Sequence, residues 1–136
     1  MPRWSRWMVR MSLVYLVLGL GLHLLTHLPL SFAWLANAAP SVFHLLVVGW
    51  ATQMIFGVAY WMFPRLSRSA PYGSERASAV VFWCLNLGLV LRVVAEPTVP
   101  LSSAPIWEAL LLTSAGFQWL ASLVFVFTIW GRVREK

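Results

Sequence analysis

The sequence predicts an all-α integral membrane protein: a four-transmembrane-helix bundle, N-in and C-in. Three observations carry that expectation. Of 136 residues, 60% are apolar and only 10% charged, where a soluble domain carries roughly 25% charged residues. No residue between Arg10 and Arg65 bears a full charge at neutral pH. Nine of the ten basic residues fall in three short clusters, at 3–10, 65–76 and 132–136, each beside an apolar run. A net charge of +6 spread over a surface would suggest nucleic acid. Gathered at the ends of apolar runs, it marks membrane boundaries, and no nucleic-acid partner is expected.

The elements follow in order. A basic, Trp-containing lead (Arg3, Trp4, Arg6, Trp7, Arg10) opens a first helix over about residues 8–28. Ala36-Asn37-Ala38 resembles a signal-peptide cleavage site, but the preceding apolar stretch is too long for a signal core and holds two histidines. It is therefore expected to remain as a span. Residues 29–39 form an uncharged connector carrying Phe32 and Trp34. The second helix, 42–63, contains 22 uncharged residues and would reach ~33 Å, enough for a bilayer core of ~30 Å. A polar loop at 64–76, with two prolines, a Tyr-Gly turn signal, Arg65, Arg68 and Arg76, precedes a third helix at 77–95. A Pro/Ser turn from Glu96 to Pro105 leads to a fourth helix at 106–130. The whole chain, 1–136, reads as one transmembrane domain.

Four spans return the chain to its starting side, and the positive-inside rule places that side in the cytoplasm of a bacterial inner membrane. Trp4, Trp7, Trp61 and Trp130 then fall at the inner boundary, and Trp34 and Trp107 at the outer one. The single cysteine, Cys84, lies in an apolar run and suits packing rather than a disulfide or metal motif.

The polar residues within the spans converge on one depth. His44 lies one turn inside the second helix, and Arg92 lies near the outer end of the third. His27 ends the first helix, with His23 one turn deeper on the same face. Intramembrane ionisable residues are costly unless something binds them. Neutral imidazoles beside a cation fit haem b, whose iron takes imidazole and whose propionates take a cation. At 100° per residue His44 shares a stripe with Val48, Ala51, Ile55, Val58 and Met62, and Gly88, on the Arg92 stripe, leaves room for a flat macrocycle. The plainer alternatives are interhelical hydrogen bonding by His44, an interfacial His27, and pairing of Arg92 with Glu96 or Glu108. Asn86, Gln53 and Gln118 are expected to hydrogen-bond between helices, and the glycines to act as helix-packing notches. A zinc or copper site on His23, His27 and His44 is a third alternative, lacking an acidic or thiolate ligand.

The stretch HLLVVGWATQMIFGVAYWMFPR resembles the second helix of the haem-copper oxidase catalytic subunit and its nitric oxide reductase relatives. FWCLNLGLVLRVVAEP is similar to the helix that follows; together they cover residues 40–97. The resemblance implies that His44 is an axial ligand of a low-spin haem. It does not extend to oxygen reduction. The family's scheme needs six histidines, with a paired-histidine copper motif, and this chain has three histidines. The expectation is a membrane haem protein with His44 as first axial ligand, His27 or His23 as second, and Arg92 on the propionates. One-electron transfer with a quinol or periplasmic partner, in a homo-oligomer among membrane lipid, would be its role. A non-redox haem sensor or carrier, or an assembly or scaffold subunit of a respiratory complex, is the other reading.

Overall fold

The computed structural model describes residues 1–63 and 74–133, and every regular element among them is helical. Four helical stretches are long and apolar enough to cross a membrane. The first, α1 (Arg3–Thr26), takes in the basic lead as well as the apolar run. Its buried line is Ser5, Met8, Ser12, Tyr15 and Gly19, at three- and four-residue spacing. A short helix, α2 (Ala33–Ala36), fills part of the connector.

The second span runs over Ala39–Met62 and is not one uniform α-helix. It comprises α3 (Ala39–His44), a π-helical stretch (Leu45–Thr52) and α4 (Gln53–Met62). Thr52 Oγ1 donates to the Val47 carbonyl five residues back, at 2.9 Å, in step with the wider π spacing. Buried along this span are Leu45, Gly49, Gln53 and Gly57. The expected stripe below His44 is divided: Val48 packs against the core, while Ile55 is 63% and Met62 70% exposed. The two glycines explain the choice of face, because they let α1 approach the backbone. Ser5 Oγ donates to the Gly57 carbonyl. A Cβ at Gly49 would sit 2.9 Å from Tyr15 Cβ, an atom held by the α1 backbone. Gly49→Ala is accordingly expected to destabilise the bundle by about 1–3 kcal/mol through overpacking, read as a lower midpoint of denaturant unfolding in detergent micelles.

The third span begins at α5 (Glu75–Thr98), where Ser74 accepts a hydrogen bond from the Ala77 N–H at 3.4 Å and Glu75 complements the helix dipole. Of the polar loop expected at 64–76, residues 64–73 lie outside the described residues, as does the tail 134–136; Ser74 to Arg76 already belong to the start of α5. The expected stop at residue 95 is also passed. α5 continues through Pro97 and ends in a 3-10 turn, Val99–Leu101. A proline in a helix deprives the carbonyl four residues back of its donor. Here that carbonyl belongs to Val93, and Ser41 Oγ donates to it at 3.1 Å. The serine from α3 thus makes the late proline tolerable and fastens the second span to the third.

The fourth span, α6 (Pro105–Trp130), has proline in its first turn and packs along α5. Phe56 of α4 stacks on Phe125 of α6, centroids 3.7 Å apart, and Tyr60 hydrogen-bonds Thr128 at 2.9 Å. Arg132, just past α6, donates to the carbonyls of Tyr60 at 3.2 Å and Phe63 at 2.8 Å. Among the interhelical hydrogen bonds expected, Asn86 makes one, accepting from the Tyr15 hydroxyl at 2.6 Å. Among the described residues the Gln118 amide hydrogen-bonds Ser114 of its own helix, at 3.5 Å. Gln53 is buried with neither amide atom hydrogen-bonded among the described residues.

Candidate functional site

The ends of the second and third spans hold a cluster of three ionisable side chains. Pro40, early in α3, starts the turn that His44 ends. On α5, Arg92 and Glu96 stand one helical turn apart, at i and i+4, so their side chains meet on one face. Arg92 Nη1 lies 3.3 Å from Glu96 Oε1. His44 Nδ1 lies 3.0 Å from Glu96 Oε1 and 3.0 Å from the Pro40 carbonyl. His44 Nε2 lies 3.4 Å from Arg92 Nη1. The three side chains are mostly enclosed: Glu96 is 9% exposed, Arg92 19% and His44 20%.

These neighbours fix the state of the imidazole. Carboxylate and carbonyl oxygens only accept, so Nδ1 carries the proton and donates. A guanidinium only donates, so Nε2 presents its lone pair. The cluster is one cation, one anion and a neutral imidazole. Hydroxyls complete it on two sides. Arg92 Nε donates to Ser114 Oγ of α6 at 3.1 Å, and Ser114 Oγ donates to the Gly88 carbonyl at 2.6 Å. Ser41 Oγ also lies 3.4 Å from Glu96 Oε2. Three spans are held through one carboxylate–guanidinium pair.

The structure brings His44 and Arg92 together and leaves His23 and His27 apart from them. His27 closes the end of α1, and its Nδ1 lies 3.0 Å from the His23 carbonyl. The two rings meet edge to face, centroids 4.6 Å apart, and both residues are exposed. Among the described residues no three of His, Cys, Asp or Glu come together as a metal-ligand set. Gly88 does not open onto free space either. A Cβ there would lie 3.0 Å from the Ser114 carbonyl oxygen and 3.2 Å from Phe117 Cβ, both of α6. It is a helix-packing notch, the role expected of glycines in closely packed spans.

Glu96, Ser41 and Ser114 belong to the cluster but were not singled out as site residues from sequence. Glu96 had a usable signal, the i, i+4 spacing from Arg92. Ser41, three residues before His44, had a weaker one. Ser114 had none, because its place depends on the register of α6 against α5. Glu108, the other carboxylate weighed for Arg92, is exposed in the first turn of α6.

No protein-family model, curated protein or solved structure matches this chain. Fold and site together define its class: an all-helical protein with four helices able to cross a membrane, holding an enclosed His-Glu-Arg cluster where two of them end.

Proposed function

We propose that this is a multi-pass protein of the bacterial inner membrane, N- and C-termini cytoplasmic, that binds b-type haem through His44 and serves one-electron transfer. The observation that carries the proposal is the anchoring of His44 Nδ1–H on Glu96 and the Pro40 carbonyl. Metal-ligating histidines almost always donate their second ring nitrogen in this way, which fixes the tautomer and raises the basicity of the ligating atom. The donor chemistry of His44 therefore fits an axial position on iron. The space beside Gly88 does not fit the macrocycle. Ile55, Val58 and Met62, which line an apolar depression, lie eleven residues or more past His44, ~16 Å along the span, too far for a ring held at His44.

When bound, haem supplies a reversible Fe(III)/Fe(II) couple. The chain's own residues have the following parts. His44 Nε2 would offer its lone pair once Arg92 Nη1, now 3.4 Å from it, turns away, and Glu96 would hold the ring in orientation. Arg92 would supply the cation that an acidic haem edge requires. The second imidazole comes from His27 or His23 of a second copy, since both are exposed at the end of α1. In His27, Nδ1 is again occupied by a carbonyl, which leaves Nε2 free as a donor to metal. A quinol or a periplasmic carrier would exchange the electron; oxygen reduction is not proposed, because the copper-site histidines of the resembling family have no counterpart here.

A pyridine haemochrome analysis and reduced-minus-oxidised spectrum of the purified protein test this. Sharp reduced α and Soret bands are expected at about one haem per chain or per pair of chains. A protein without tetrapyrrole, even after reconstitution with haem, would exclude it. One observation favours a second reading, an accessory or scaffold subunit of a larger membrane complex. Only 11% of the most apolar stretch of α6 is buried, against 44% for α5, which leaves a full helix face for another subunit.

A further inference from the structure

A second feature is independent of the histidines and rests only on the membrane part of the proposal above. Along the side where α1 meets α5, two apolar troughs lie end to end. One, of about 510 Å³, is lined by Arg3, Trp4, Trp7, Phe82 and Trp83 among others. The other, of about 740 Å³, continues between the later turns of α1 and α5. Tyr15 and Val90 line both, so they form one groove. It is apolar along its length and cationic at one end.

The cationic end is built rather than incidental. The Arg3 guanidinium lies 5.4 Å from the Trp4 ring centroid and that of Arg10 5.8 Å from Trp7. Arg3 itself lines the trough, and Arg10, outside the lining, is held against the lining residue Trp7. Neither has a carboxylate within ion-pair distance among the described residues, where the ion pairs are those of Glu96. From Arg3 to Tyr15 the helix rises ~18 Å, close to the ~15 Å half-thickness of a bilayer core. The first trough spans one leaflet, and the cations at its polar mouth have no ion-pair partner among the described residues; that combination matches a molecule with an anionic head and a long hydrocarbon tail. A neutral isoprenoid or a second transmembrane helix would use the apolar trough but leave the cations unanswered.

We infer that the α1–α5 groove is a binding site for an anionic phospholipid, its phosphate at Arg3 and Arg10 and one acyl chain along Trp7, Trp83 and Tyr15. The lipid belongs to the leaflet that contains the start of α1. Basic residues near the surface attract anionic headgroups, by up to about thirtyfold in occupancy for the two arginines together.

Brominated lipids give the test, because bromine on an acyl chain quenches tryptophan fluorescence on contact. The protein is placed in vesicles of phosphatidylcholine and phosphatidylglycerol at fixed ratio. An equal mole fraction of one lipid or the other is then replaced by its dibromo form. Brominated phosphatidylglycerol is expected to quench at least about twice as strongly. The Arg3→Gln/Arg10→Gln variant should lose that difference. Arg6→Gln, which removes a cation that is held on neither Trp4 nor Trp7, should keep it. Equal quenching by the two lipids overturns the site. So does an effect of Arg6→Gln as large as that of the double variant, which would mean surface charge alone. Quenching by neither lipid would overturn the membrane reading itself, a separate failure.

Discussion

His44→Ala is expected to yield a colourless protein, its haem content below about a tenth of the parent, with the helices intact. The first part follows from losing the axial donor. The second follows from the remaining partners of Glu96, which keeps Arg92 at 3.3 Å and Ser41 at 3.4 Å. No buried charge is stranded, so the fold has no strong reason to fail. Glu96→Gln should act more mildly, weakening haem affinity about 10–100-fold, the usual cost of removing the group that orients a metal-ligating histidine. Haem per protein and the circular dichroism of the same samples separate the outcomes. Full haem content in His44→Ala would remove the central assignment. Loss of both haem and helix would show that His44 acts first in folding.

Arg92→Leu carries the largest expected cost in stability, about 3–5 kcal/mol, because it leaves an enclosed carboxylate without its cation. Glu96 is only 9% exposed, and among the described residues Arg92 is the one permanent cation within ion-pair distance of it. The double variant Arg92→Leu/Glu96→Leu should regain most of that loss, since a neutral apolar pair of similar volume often does as well as a buried ion pair. The four-member cycle, followed by denaturant midpoints in detergent micelles, isolates the coupling between the two residues. A single-variant cost under about 1 kcal/mol would mean that Arg92 reaches solvent and that the pair behaves as a surface one.

The apolar runs and their charged ends were legible because length and hydropathy are local properties. The four spans appear near where the sequence puts them, with shifts of a few residues at their ends. The larger departures have local causes that sequence hides. Pro97 looks like a stop, yet the helix runs through it because Ser41 takes the Val93 carbonyl that the proline abandons, 52 residues along the chain from the serine. The stripe below His44 was expected to line a cofactor wall, yet it is divided, Val48 packing against the core while Ile55 and Met62 stay exposed. Gly88 was read as space, and α6 occupies it.

By itself, the order of residues determined that four helices could cross a bilayer, that cations would cluster at their ends, and that His44 and Arg92 would lie at one depth. These follow from rise per residue and from the cost of charge in hydrocarbon, which need no knowledge of neighbours. Tertiary packing decided the rest. It chose Glu96 over Glu108 as the partner of Arg92, set Nδ1 rather than Nε2 of His44 as the donor, and kept His23 and His27 out of the cluster. Those outcomes depend on which helix faces touch and at what register. Glycine notches and single hydroxyls set that register, through contacts between residues far apart in the chain.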